Sequence, residues 1–445
     1  MAGEATARLR SSRGNDAGQA AIGARRATEA ASPREPAARC IAERTPRPPV
    51  ALYVHVPFCV SICPYCDFVV HAGRAARGPG ARIEPFLAAL HAELDLRADA
   101  LAAPPARSPL RSVYLGGGTP SLLAPRDVAA ILDHVDRRFG IAAGAEVTLE
   151  ANPGPDERGD LAGFAAGGVT RISLGAQTMD AAELRRLGRR HSPQDVLVAI
   201  GVARRGGLAS VSVDLLYDVP GQTRASWRGT LRAILDAGVD HVSAYALTLD
   251  DPDAEGITGP AGDHLPTRPG ARAWRDRARA EQDDDRAADL YADADGLLAE
   301  AGLRWYELSN WARPGHESRH NLAYWRHEPY QAAGPGAHAF DGVATRRWNA
   351  ARLDRYVAAL TATPPALPPG GVERLDHETL EAEEAILGLR LREGIEAAVA
   401  ARPAVAEALR WGSAHGLVED AGDGRVALTL RGRLLSNELF ERMLP

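Results

Sequence analysis

The stretch Tyr53-Val54-His55-Val56-Pro57-Phe58-Cys59-Val60-Ser61-Ile62-Cys63-Pro64-Tyr65-Cys66-Asp67-Phe68 decides how the rest of the chain is read. It sets Cys59, Cys63 and Cys66 at C-x3-C-x2-C spacing, three of the four cysteines in 445 residues. An alternating apolar run precedes them, so a strand delivers the chain into a short loop able to wrap three thiolates around one metal centre. Soft thiolates suit iron-sulfur clusters and zinc, and both usually take four ligands. Only three are local. A closed zinc site needs a further Cys or His, and His55 and His71 lie close by in sequence. A cluster with three protein ligands instead leaves one iron open to a chelating small molecule.

Downstream of this loop the chain falls into a strand-then-helix rhythm. β-rich runs occur at 51–57, 112–115, 146–150, 171–174, 211–216 and 241–249, with helical patterns at 84–99, 125–139, 156–166, 181–187, 193–205 and 226–237 between them. Such βα units build parallel sheets, here a barrel or an open curved sheet, and assemble their sites at the C-terminal strand ends. Polar and glycine positions gather there. Gly116-Gly117-Gly118-Thr119-Pro120 ends the second strand, where missing Cβ atoms let backbone approach a ligand. Glu150 and Asn152 end the third, Gln177 ends the fourth, and Asp214 lies within the fifth. Polar groups at successive strand ends point to one pocket.

Three further stretches complete the organisation. Residues 1–48 are rich in Ala, Arg, Gly, Ser and Pro and read as a disordered extension carrying the incidental thiol Cys40. Residues 49–250 form the strand-helix core, and 251–285 read as a flexible insert in which Asp283-Asp284-Asp285 make a solvated face. Residues 286–363 contain a dense polar-aromatic stretch through His320, Tyr324 and Trp325, followed by Gly334-Pro335-Gly336-Ala337-His338, with His338 a second histidine able to meet iron. Residues 370–445 read as two helices, a strand pair across 421–424 and a last helix at 431–443, a winged-helix-like α+β module. Glu419, Asp420 and Asp423 crowd its would-be wing, which argues against nucleic acid as a partner.

Composition narrows the classes. Net charge is -6, every long cationic side chain is arginine, and the absence of lysine excludes Schiff-base chemistry and a Walker-type phosphate lysine. Three cysteines crowded into eight residues argue against a disulfide framework and for a reducing compartment, so the cytoplasm is expected. No run approaches the roughly 18 to 20 apolar residues of a membrane span.

Taken together, the motifs resemble those of the radical S-adenosylmethionine (SAM) enzymes. The segments 53–68, Gly116 to Ser121, Glu150-Ala151-Asn152-Pro153 and Arg171 to Gln177 are similar to the oxygen-independent coproporphyrinogen III oxidase group, and more closely to its haem-chaperone branch. The resemblance implies an α/β fold, a radical SAM partial (β/α)6 barrel. It implies a 4Fe-4S cluster on Cys59, Cys63 and Cys66, whose open iron is chelated by SAM. Gly117, Gly118 and Thr119 would then hold SAM's methionine end. Glu150, Gln177, Arg189 and Asp214 would line its pocket, with Tyr53 nearby and Ala246 against the adenine. His320-Asn321-Leu322-Ala323-Tyr324-Trp325 resembles the His-Asn-x-x-Tyr-Trp haem-contact motif of the chaperones.

Two functions follow from the resemblance. One is a haem chaperone that binds cluster, SAM and haem and delivers haem to an accepting protein such as a respiratory enzyme. The other is a coproporphyrinogen III decarboxylase, which would take a porphyrinogen as substrate. An electron donor such as a flavodoxin or ferredoxin would serve either, and whether SAM is cleaved productively stays open. Phe68, where the oxidases carry another cysteine, favours the chaperone. Asp218 departs from the family glycine and leaves the turn after the fifth strand open, and the sequence from Leu249 onward diverges as well.

Overall fold

Alternation along the strands sets the architecture. In a computed structural model, which describes residues 47–76, 81–101, 108–249 and 270–445, the positions Val113, Leu115, Val147, Leu149, Ile172, Leu174, Val211, Val213 and Val242 are all buried. They pack with Val128, Ile131, Val196, Ile200, Trp227 and Leu231 of the helices in one continuous core. The positions between them are largely polar. Because side chains of a strand point to opposite faces in turn, one face of the sheet takes the helices and the other becomes a polar hollow.

The strands are β1 (Ala51–Val56), β2 (Leu110–Gly117), β3 (Ile141–Ala151), β4 (Arg171–Gln177), β5 (Ser210–Tyr217) and β6 (His241–Ala246). They pair in parallel and in chain order, as the βα reading expects. Helices α1 (Ile83–Ala100), α2 (Pro125–Phe139), α3 (Leu161–Ala166), α4 (Ala181–Arg186), α5 (Pro193–Arg205) and α6 (Arg224–Asp236) intervene. The sheet stays open and extends at both edges. Two strands, Arg304–Glu307 and Asn310–Ala312, prolong it antiparallel beyond β6, and Tyr330–Ala333 joins β1 in parallel, leading to three further antiparallel strands.

Several expectations are revised. The strand read over 241–249 stops at Ala246, and the helix read from 156 begins only at Leu161, where the Asp160 carboxylate accepts from Gly163 N at 2.9 Å as its cap. The stretch read as a loose insert contains a helix, α7 (Ala271–Ala280), and Asp283 caps the next helix, α8 (Asp284–Glu300). The N-terminal extension up to residue 46, Cys40 and the insert over 250–269 lie outside the described residues.

The turn after β5 is kept despite its departure from glycine. Asp218 adopts φ +56°, a left-handed conformation that aspartate tolerates better than most residues, and its carboxylate is held by the Arg286 guanidinium (Nε to Oδ1 3.0 Å). Asp218→Gly is therefore expected to change stability little. Relief of the left-handed strain, roughly 1 kcal/mol, offsets loss of an ion pair whose carboxylate is buried but whose guanidinium, 31% exposed, stays open to water once the carboxylate is gone. Equilibrium unfolding of the two chains checks this.

A buried carboxylate ties the far edge of the sheet to α1. Glu93, 0% exposed, accepts from the Arg97 guanidinium at 3.1 Å, Gly334 N at 2.9 Å, Asn349 Nδ2 at 2.7 Å and Tyr356 OH at 2.7 Å. Gly334, at φ +103°, presses against the end of β1, where a Cβ would lie 2.3 Å from the His55 carbonyl oxygen. Only glycine fits there.

The C-terminal residues bury a second apolar cluster, including Ile386, Leu389, Val405, Leu409, Leu417, Leu428, Leu439 and Phe440. Its elements are helices His377–Arg390 and Pro403–Ala414 and a hairpin, Val418–Gly422 with Arg425–Leu428. The helix read over 431–443 is two short ones, Leu430–Leu434 and Ser436–Phe440. Arg433 docks this part on α8, bonding Asp295 at 2.7 and 2.8 Å and covering the Trp305 ring at 4.2 Å.

Candidate functional site

β1 runs straight into the cysteine loop. Cys66 N bonds Cys63 O at 3.1 Å, turning the chain so that Cys63 and Cys66 share one bend, and Cys59 Sγ lies 3.5 Å from Thr119 Oγ1. Burial pushes the Cys59 thiol up to about 11, partly eased by Thr119, and pushes Cys66 higher still, reinforced by the neighbouring Cys63. Left alone, these two sulfurs keep their protons. A metal that binds them must displace those protons.

The glycines of 116–118 serve the protein's own packing. A Cβ on Gly117, which has φ +107°, would fall 2.4 Å from the His55 ring, and one on Gly118 would fall 2.6 Å from the Phe58 carbonyl oxygen. Strand β2 thus abuts the entrance to the cysteine loop. Gly118 N bonds Val56 O at 2.9 Å and Thr119 N bonds Phe58 O at 2.7 Å, so Thr119 is placed by the same backbone that places Cys59.

From Thr119 a chain of polar contacts returns to the cysteines. Asn152 Nδ2 donates to Thr119 Oγ1 at 3.1 Å, Asn152 Oδ1 accepts from Arg189 Nη2 at 2.5 Å, and Arg189 Nη1 points to Cys63 Sγ at 3.6 Å. Arg189 also holds the Gly175 carbonyl at 2.6 Å. Glu150 accepts from Tyr114 OH at 2.7 Å and Gly117 N at 2.9 Å. Burial pushes its carboxyl up to about 7 in spite of those two donors. Asp214 is held by Ser173 at 3.0 and 3.1 Å, and burial raises its carboxyl as well. Gln177 ends β4 at φ +67° beside a register shift, a costly conformation for a non-glycine residue and common at binding sites. Ala246 ends β6 opposite Tyr217. Tyr53 OH bonds His55 Nδ1 at 3.0 Å, and its ring stacks on Tyr114.

The polar-aromatic stretch lies at the opposite end of the hollow. Helix α9 (Arg319–Trp325) begins under Ser318, and Ser318 Oγ and His320 N both bond Glu146 near the start of the regular β3 pairing. Arg171, first in β4, bonds the His316 carbonyl at 2.8 Å. His320 does not stand free: it is 1% exposed, Nδ1 meets Ser112 Oγ at 3.0 Å and Nε2 meets Tyr324 OH at 2.7 Å. Burial lowers its pKa to about 3, so the ring is neutral. Trp325 lies under the Arg390 guanidinium at 4.3 Å. His338 stacks on Trp348 and stands near enough to His55 to help lower the pKa of that ring. The structure thus gathers Gly117, Gly118, Thr119, Glu150, Gln177, Arg189 and Asp214 toward the cysteine end and sets His320, Tyr324 and Trp325 at the other, with Tyr53 between them, its ring 6.4 Å from that of His320.

The Radical SAM superfamily profile matches residues 53–251. The chain is 40% identical over 401 residues to the heme chaperone HemW of Mycobacterium tuberculosis, covering 90% of this chain and 96% of that one. The chain belongs to the HemW family of radical SAM proteins. HemW of Escherichia coli is 36% identical over 65% of this chain and 70% of its own. The solved structure of the Escherichia coli coproporphyrinogen III oxidase HemN shares the fold, with a TM-score of 0.70 over 91% of this chain and 92% of that one at 21% identity.

Radical SAM membership implies a 4Fe-4S cluster and SAM, and the HemW-family loop fits that pair. The three thiols lie close enough to influence one another, and three soft thiolates with no fourth cysteine in the loop suit a cluster that leaves one iron to a small ligand. His55, weighed above as a zinc ligand, has both ring nitrogens engaged, Nε2 with the Val69 carbonyl at 2.7 Å. Tyr114 and Arg275 belong to the site's surroundings but were not marked by sequence reading. For Tyr114 the signal was the inward alternation of Ser112, Tyr114 and Gly116. No local signal existed for Arg275.

Proposed function

We propose that this HemW-family chain holds a 4Fe-4S cluster on Cys59, Cys63 and Cys66, binds SAM at the C-terminal mouth of the hollow, and binds haem for transfer to a haem-requiring protein in the cytoplasm. The polar chain from Cys59 through Thr119, Asn152 and Arg189 back to Cys63 carries the reading, because it joins two of the three sulfurs to polar groups that follow the C-terminal ends of β2 and β3. When bound, the cluster supplies an electron to the SAM sulfonium. Arg189, a planar fork fixed by two acceptors, offers its charge to the methionine carboxylate. Glu150 and Asp214 offer carboxylate oxygens to ribose hydroxyls, and Ala246 offers a small apolar face to adenine. The relatives named heme chaperone support the haem step, as does Phe68 in place of a further cysteine.

Anaerobic reconstitution followed by parallel assays of SAM binding, haem binding and coproporphyrinogen decarboxylation tests the reading. Stable haem binding without protoporphyrinogen formation is expected. Steady decarboxylation without stable haem binding would replace it with the oxidase reading.

Glu150 gives this site a pH signature. Its native carboxyl binds the proton more tightly than the unfolded one, so its contribution to stability falls as pH rises from the usual carboxylate range to about 7. Ionised, it accepts from two hydroxyls where the acid can accept less. SAM affinity is expected to rise with pH through about 7, and Glu150→Gln is expected to flatten that dependence in calorimetric titrations across pH.

His320→Ala removes the imidazole that bonds both Ser112 and Tyr324 in a buried position, a cost of about 1–3 kcal/mol in stability. Haem affinity is expected to fall by about ten-fold through the shifted Tyr324 and Trp325, while the visible absorbance of the cluster is retained. Unchanged haem titration curves would remove this stretch from the haem site.

A further inference from the structure

The cysteine loop holds itself with little: a turn bond between Cys66 N and Cys63 O, and a two-residue ladder of Phe58–Cys59 on His71–Ala72. Thr119 meets Cys59 and Arg189 meets Cys63, and the backbone of the bend is held from more than two hundred residues away. Arg275, on α7 and 3% exposed, reaches into the loop with Nε on the Pro64 carbonyl at 3.0 Å. Its Nη2 is shared between the Cys66 carbonyl at 3.1 Å and Asp67 Oδ1 at 2.5 Å. We propose that α7 is a latch on the cluster loop and that Arg275 is a positioning residue, fixing the backbone of Cys66 before metal arrives.

A buried cation is costly unless paired and hydrogen-bonded, and here one planar group serves two carbonyls and a carboxylate of a single bend. Lysine, a point charge on a flexible stem, cannot reproduce that fork. The helix carrying Arg275 is anchored on both sides. Trp274 Nε1 bonds the Arg186 carbonyl at 2.9 Å and its ring lies 6.3 Å from that of Tyr65, the residue just before Cys66. Ala278 packs with Leu187, Val219, Leu247 and Leu249, the residues that follow α4, β5 and β6. The latch therefore couples the bend to the rim of the SAM pocket. Ligand groups held by surrounding hydrogen bonds bind metal with less ordering to accomplish.

The inference rests on the cluster reading above, and the test separates the two. In the metal-free full-length chain kept under nitrogen, alkylation by iodoacetamide is followed at each cysteine by peptide mass. Arg275→Gln and Arg275→Lys are each expected to raise the Cys66 rate about ten-fold, with thermal midpoints close to wild type. Asp67→Asn, which weakens one of three acceptors, is expected to raise it about two-fold. Arg286→Gln, which removes the neighbouring cation on Asp218 and touches no loop atom, is expected to leave it unchanged. After reconstitution, iron release to a chelator is expected to be about ten-fold faster in Arg275→Gln. Wild-type alkylation and iron release in both Arg275 variants would overturn the latch. If no variant, wild type included, takes up iron while the alkylation rates still separate, the latch stands and the cluster reading falls.

Discussion

Cys63→Ala is expected to abolish cluster assembly, with iron and sulfide falling to background after anaerobic reconstitution and the visible absorbance lost. Each thiolate of the loop has its own iron to hold, so no remaining sulfur can take over the vacant place. Among the described residues Cys59, Cys63 and Cys66 are the free cysteines, and His55, the nearest imidazole in sequence to Cys59, is committed to Tyr53 and Val69. The loss is expected to be local. Cys63 is only half-buried, and its side chain meets Arg189 at the weak distance of 3.6 Å. Thermal unfolding of the metal-free variant is expected to match that of the metal-free wild type, which separates a missing ligand from a misfolded chain. Iron uptake at wild-type stoichiometry would show that these cysteines are not the cluster's holders.

The second large effect is on stability. Glu93→Ala is expected to cost about 3–5 kcal/mol, the range for removing one partner of a buried ion pair. It would take the acceptor from Tyr356 OH and Gly334 N and leave Arg97 on Asn349 Oδ1 and Asn349 Nδ2 on the Gly334 carbonyl, without the buried charge that Arg97 faces. Chemical denaturation followed by tryptophan fluorescence measures the loss. Glu93→Gln keeps the shape but gives up the charge facing Arg97, and is expected to recover only part of it. The consequence reaches the site, because Gly334 holds the end of β1 from which the cysteine loop departs.

Much of this was written in local sequence. Helices α2 and α5 begin and end where they were read, since Pro125 and Pro193 occupy first-turn positions that suit proline and Ser192 closes a reciprocal cap with Asp195. The six core strands were legible as β-rich runs. What was not legible came from distance. Asp160 was a better cap than the pattern around 156 suggested, because the preceding turn uses Gly154 and Glu157 instead of helix. Helix α7 looked like linker because its apolar contacts are few and its main partners are the carbonyls of residues 64 and 66. The glycines at 117 and 118 were read toward a ligand, and only the fold shows that they also make room for His55 and Phe58. His320 looked like an iron ligand by type, and only the fold supplies the two hydroxyls that occupy it.

The placement of α9 has a kinetic consequence. With Glu146, Arg171 and His241 all engaged by the 306–320 segment, the hollow is corked at one end. Among the described residues that end is filled by the protein's own side chains, so a molecule seated in the hollow is expected to come and go past the strand ends where the cysteines stand.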